Sequence, residues 1–230
     1  MTLGRLVIED RPQTVGEEIA NAISHGVGFL FAIASLPILV AMAWRHGSAM
    51  HIAAASVFSI TMMLLYLASA LYHAAPEGET KAFLNRLDHA AIYLFIAGTY
   101  TPFALAMVHG RLGWTLFVAI WAMSAVGIAV KLLNLLKHPL WSTGLYVALG
   151  WLAMVAAGPL LRAMPTAGLA WVLAGGLAYT AGAIVFLFDS RARYMHFVWH
   201  LFVLLGTICH FFAALWYAIP AAASAAGVGA

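Results

Sequence analysis

The chain has 230 residues, of which 64% are hydrophobic and only 8% charged, with a formal net charge of +3. A soluble domain carries about 25% charged residues, so this composition leaves no room for a sizeable one and indicates an integral membrane protein. A single cysteine, Cys209, excludes an internal disulfide and a cysteine-based zinc cage, and a small positive balance spread over short loops excludes a nucleic-acid patch.

Residues 1–22 read as a cytoplasmic N-terminal segment. Residues 1–17 hold no short apolar core and no small-residue cleavage site, so no removable signal peptide is expected. A membrane-crossing helix needs about 20 mostly apolar residues. Seven such stretches are predicted, at about 23–44, 50–72, 90–108, 112–133, 140–161, 167–188 and 195–217. None alternates apolar with polar residues as a β span does. The expected fold is therefore an all-α, seven-helix transmembrane bundle over 23–218, followed by a loosely ordered small-residue tail at 219–230.

The breaks between spans are short. Tight links fall at 45–47 and 109–111, a polar loop at 76–81, and Pro139 stops one helix and starts the next. Pro102 lies inside the third span and is expected to kink it, with the hydroxyls of Thr99 and Thr101 covering freed backbone groups. Abundant Gly and Ala permit close helix contacts.

Lysine and arginine set the orientation. Arg5, Arg11, Lys81, Arg86, Lys131, Lys137, Arg191 and Arg193 fall on the side that holds the N-terminus, whereas Arg45, Arg111 and Arg162 fall on the other. The expectation is a cytoplasmic N-terminus and an external C-terminus, in the cell inner (plasma) membrane.

The last span opens with His196 and His200. At a spacing of four they share one helix face, where two imidazoles can grip one metal ion or simply pack inside the bundle. The orientation puts Ser69 and His73 at the end of span two, Asp88 and His89 at the start of span three, and His196 and His200 at one level of the inner leaflet. Ionisable groups inside a membrane are costly, so they point to a functional site.

Three histidines, His73, His196 and His200, with one open position form the catalytic rather than the structural zinc pattern. The open position would take a water that zinc acidifies. Asp88 is then a candidate supporting carboxylate or general base, or equally the cap of the third helix. Ser69, one turn before His73, is either a donor to a developing oxyanion or a small residue at a helix contact. His89 and His138 read as interfacial, and His46, His51 and His109 as residues near the outer face with no joint role. Tyr72, Trp199 and Trp216 read as packing or interfacial anchors.

The segments SALYHAAP, LDHAAIYLFIAGTYTPF and HFVWHLFVLLGTICH, together with EEIANAISHGVGFLFA at the first span, resemble the signature segments of the hemolysin III family. That family belongs with the progestin and adipoQ receptors and, more distantly, the alkaline ceramidases. The resemblance covers nearly the whole chain. It implies seven helices, a cytoplasmic N-terminus and a zinc ion near the inner leaflet, with Ser69 and His73, Asp88, and His196 and His200 on the family's motif positions. His210 matches a further family histidine, about 15 Å along the axis from His200 and so too far to share the metal. Glu18 and His25 belong to the first-span motif, where they would support a polar network. The function expected is a zinc-dependent hydrolase of a lipid amide or ester, with membrane lipids as partners and a small lipid as substrate or ligand. Its competitors are a receptor-like or membrane-homeostasis regulator with structural zinc, and a pore-forming cytolysin.

Overall fold

A computed structural model describes residues 11–46, 48–108, 110–136 and 138–220. Arg5, Gly47, His109, Lys137 and the tail at 221–230 lie outside the described residues, as does the side chain of His46. The described chain is helical: α1 Val15–His46, α2 Ala49–Ala74, α3 Glu79–Thr101, α4 Gly110–Leu132, α5 Pro139–Gly150, α6 Ala157–Ala163, α7 Thr166–Phe186 and α8 Met195–Ala213. No strand occurs among the described residues, as the bilayer demands, because a helix satisfies its own backbone where no water can.

Six helices are long and apolar enough to cross a membrane. The α5–α6 pair, joined by a 3₁₀ turn, Trp151–Ala156, and bent by 60°, makes a seventh if it counts as one span. The fifth expected span, at about 140–161, is bent for a local reason. Pro159 has no N–H to give to the carbonyl of Val155, and its ring crowds that carbonyl. Pro102 acts more gently: α3 continues as a π-helical stretch, Pro102–Val108. Thr99 and Thr101 do bond backward, to the carbonyls of Phe95 and Ala97 at 2.8 Å each. Both acceptors precede Gly98, whose carbonyl is the one four residues before Pro102, so the two hydroxyls do not make the expected covering bond to it.

Two helices start earlier than hydropathy indicated, α1 at Val15 and α3 at Glu79. In α1 the cause is a capping box. The Thr14 hydroxyl accepts from the Glu17 N–H at 3.4 Å, and the Glu17 carboxylate accepts from the Thr14 N–H at 2.9 Å. Glu17 also accepts from the backbone N–H of Tyr194 at 2.8 Å. Tyr194 sits at φ 61°, in the left-handed region, immediately before α8. One carboxylate thus ties the start of α1 to the start of α8.

Helix α1 packs along α2 and α8, α3 lies between α2 and α4, and α7 packs on α8. The exposed face of α1 is apolar (Ile19, Ile23, Val27, Leu30), whereas its buried face carries Asn21, Ser24, His25 and Ser35. That is the reverse of a soluble amphipathic helix: lipid takes the apolar side and the interior holds the polar groups. Close approach is bought by glycine at the contacts. A Cβ on Gly28 would come within 2.7 Å of the Tyr66 ring and 2.9 Å of Leu204, and one on Gly98 would overlap the Thr61 hydroxyl.

Candidate metal centre

His73 comes from the last turn of α2, and His196 and His200 come from the first turns of α8. Their ring centroids form a near-equilateral triangle, with sides of 5.1 Å (His73 to His196), 5.0 Å (His73 to His200) and 4.8 Å (His196 to His200). One nitrogen from each ring lies within 4.8 Å of the others. His73 and His200 are buried and His196 is half-buried.

The other nitrogen of each ring is already engaged. His73 Nδ1 donates to Glu18 Oε2 at 2.7 Å, and His196 Nδ1 donates to Asp189 Oδ2 at 2.8 Å. His200 Nδ1 lies 2.9 Å from Ser24 Oγ. The single Ser24 hydroxyl hydrogen is spent on the Asn21 carbonyl at 2.8 Å, so Ser24 can only accept, and His200 Nδ1 must carry the proton. The three bonds assign the same tautomer to all three imidazoles and leave each Nε2 with its lone pair. His73 Nε2 is buried with no hydrogen-bond partner.

An orphaned buried acceptor of this kind is costly unless something fills the site. A metal ion does so. Metal-binding histidines characteristically donate the distal N–H to a carboxylate or another acceptor, which fixes the ring and raises its basicity. A tetrahedral ion with bonds of about 2.0–2.1 Å asks for nitrogens about 3.3 Å apart. The three donor nitrogens, all within 4.8 Å of one another, could hold such an ion. The triad therefore fits a metal ion.

Ser69 is fully buried one turn before His73, and its Oγ has no partner. Asp88 lies ten residues into α3, so it is not a helix cap. It is half-buried, acts electrostatically on His73, and makes no side-chain hydrogen bond or ion pair among the described residues. His210 stays apart from the triad: its Nδ1 donates to the Gly206 carbonyl of its own helix at 2.9 Å, and its ring stacks on Tyr179. His51 caps α2, accepting the Ser48 N–H at 3.2 Å. Tyr72 lies beneath Lys81, Trp199 packs on Phe186, and Trp216 packs on Phe212.

Ser24 and Asp189 were not anticipated, and Glu18 turns out to be a direct partner of the centre. Lys81 Nζ, nearly buried, pairs with the second oxygen of Glu18 at 2.9 Å. His25 stacks flat on His200, with centroids 3.5 Å apart, and both of its nitrogens are buried without partners. A sequence signal for the α1 residues existed. Once Thr14 and Glu17 mark the start of the helix, Glu18, Asn21 and Ser24 or His25 follow at intervals of three or four on one face. Asp189 carried no such signal, since only the 3₁₀ turn Asp189–Arg191 folds it back to His196.

The Haemolysin-III related family pattern matches residues 13–211, which include the whole of the site just described. The chain belongs to this family. It is 44% identical to "Hemolysin-3" of Bacillus cereus over 210 residues, covering 91% of this chain and 95% of that protein. It is 41% identical to a "Hemolysin-3 homolog" of Bacillus subtilis (strain 168) over 206 residues, covering 90% and 96%. It is 25% identical to the human "Monocyte to macrophage differentiation factor" over 210 residues, covering 87% and 84%. With its apolar helices, this haemolysin-III-related chain is a multi-pass membrane protein, whose expected location is the cell membrane.

Proposed function

We propose that this protein is a zinc-dependent membrane hydrolase that cleaves an amide or ester of a lipid. The observation that carries the proposal is the donor set: three imidazoles share one tautomer, each is backed through Nδ1, and each has Nε2 left over. Neutral nitrogens with carboxylates behind them suit zinc, and zinc bound there would supply Lewis acidity and acidify water. His73, His196 and His200 hold the ion. Glu18, Asp189 and Ser24 keep the rings turned toward it. Asp88, free of other bonds, takes the proton from the attacking water and returns it to the departing amine or alcohol as the acyl bond breaks. Ser69 Oγ, unpartnered and buried, donates to the oxyanion formed on the carbonyl. The lysine and arginine distribution supports a cytoplasmic N-terminus, with the centre at the level of the inner leaflet.

A receptor-like role with structural metal is the second reading, favoured by the absence of any hydrogen bond from Asp88 to the triad. One variant separates the two. For the hydrolase, Asp88→Asn in purified protein keeps its metal by elemental analysis and loses at least about 100-fold of lipid amide or ester turnover. Retained metal with an unchanged lipid profile in cells that carry the variant supports the structural role instead.

A further inference from the structure

A cavity of about 350 Å³ opens between the N-terminal half of α3, the ends of α4 and α7, and the first turn of α5. It is lined by Asn85, Arg86, His89, Lys131, Asn134 and Ser142 among others. Its volume lies in the usual range for ligand sites and equals about ten water volumes. A shallower recess shares Asn85, Arg86 and Asn134 with it and adds Glu79 at the outer edge.

The cavity is cationic, and its cations are not neutralised. Arg86 has no ion pair among the described residues, and its guanidinium lies over the Phe83 ring, 5.9 Å from the centroid. Lys131 likewise has no carboxylate partner. Its Nζ spends one donor on the Leu136 carbonyl at 3.3 Å, leaving two of three. The end of α4 closes in its own turn, which takes up the carbonyls of Val130 and Lys131. Asn134, at φ 55°, donates to Lys131 O at 3.0 Å, and Leu135 N–H donates to Val130 O at 3.0 Å. The first turn of α5, whose Pro139 and Ser142 line the cavity, adds the positive end of its dipole. Two cations, side-chain amides and a helix start converge on a cavity whose described lining holds no carboxylate, Glu79 lying only in the adjoining recess. Their position at the lysine- and arginine-rich end of the bundle is the level at which lipid headgroups lie.

We propose that this cavity binds a phosphate group, presented by a phospholipid headgroup or by a free phosphate ester. Arg86 and Lys131 hold the phosphate, with the side-chain amides of Asn85 and Asn134 as neutral donors. The site is separate from the metal centre but adjoins it through Phe186, which lines the cavity and packs on His196 with centroids 5.9 Å apart. The proposal stands whether or not the metal centre is catalytic.

The test uses the full-length protein in non-ionic detergent, with dihexanoylphosphatidylglycerol, dihexanoylglycerol and glycerol phosphate as calorimetric probes. The phosphatidylglycerol is expected to bind saturably at one site and dihexanoylglycerol not at all. Arg86→Gln and Lys131→Gln are each expected to weaken binding about tenfold. Arg86→Lys should restore most of it, and Arg111→Gln at the opposite end should change nothing. Metal content should stay at the wild-type level throughout. Glycerol phosphate binding as well as the lipid identifies a free ester as the ligand; the lipid alone binding identifies a headgroup; both support the proposal. Equal binding of dihexanoylglycerol overturns it, as does an unchanged double variant. Should the glutamine variants fail to fold, the wild type still decides, because dihexanoylglycerol binding as tightly as the phosphatidylglycerol refutes the site.

Discussion

Two groups of buried polar side chains occupy α8, and they are built on different rules. Near its start, His196 and His200 join His73 from α2, and each Nδ1 is held by a side chain from outside its own helix turn: Asp189, Ser24 and Glu18. Near its end, His210 bonds to the carbonyl four residues back, and its ring is sandwiched into the packing by Tyr179 and Phe103. The neighbouring Thr207 hydroxyl is bonded by Tyr66 at 2.7 Å and Tyr179 at 3.0 Å. The second group closes on itself. The first leaves lone pairs directed at nothing the chain supplies. A buried histidine that bonds its own backbone is a packing element; one whose back nitrogen is held by a carboxylate from another segment is prepared to give its front nitrogen away.

The sharpest way to break this contrast is to remove one histidine from each group. His200→Ala should lower bound metal in purified protein from about one equivalent to a trace, since two imidazoles alone make a poor site. His210→Ala should keep the full equivalent and lose thermal stability instead. Elemental analysis beside a melting curve reads both, and metal loss in the His210 variant would erase the distinction. A smaller effect is expected behind the ligands. Glu18→Gln and Asp189→Asn each keep a side chain of the same shape but weaken the acceptor for Nδ1–H. Metal affinity, read by competition with a chelator, should fall about 10- to 100-fold in each. Glu18→Gln should have the further consequence of stranding Lys81, whose other carboxylate partner, Glu77, is 3.8 Å away and exposed.

Much of this was legible in the sequence, and the limits are physical. Span number followed from the long apolar runs, and the triad from the four-residue spacing of His196 and His200 together with the level of His73. Hydropathy could not see where α1 and α3 begin. Their first turns are polar, because they sit at the wet end of the bundle and carry the groups that serve the centre. The apolar run starts near Ile23, but the helix starts at Val15, and the eight residues between hold Glu17 and Glu18. The same bias made Asp88 look like a possible cap when it lies well inside α3. The break in the fifth span was written in Pro159, but a proline in a long apolar run can either kink or divide a helix, and packing decides which. Asp189 was beyond reach, because its approach to His196 depends on a turn with no periodicity to mark it.

Ser24 gives the finest test of the contrast. It differs from Glu18 and Asp189 in being neutral, and a bond to a neutral oxygen is worth about half of one to a carboxylate. Ser24→Ala should therefore weaken metal binding by a few-fold at most, less than either carboxylate variant. There is a second reason to expect a small effect. The Asn21 carbonyl, which accepts the Ser24 hydroxyl at 2.8 Å and also acts on His200, is freed by the substitution and can accept His200 Nδ1–H itself. The ranking carries the information. If Ser24→Ala costs as much as Glu18→Gln, charge on the acceptor is not what tunes the three imidazoles, and ring orientation alone must be. If the order holds, the centre is graded, with two histidines backed by carboxylates and one, the most deeply buried, backed by a neutral hydroxyl.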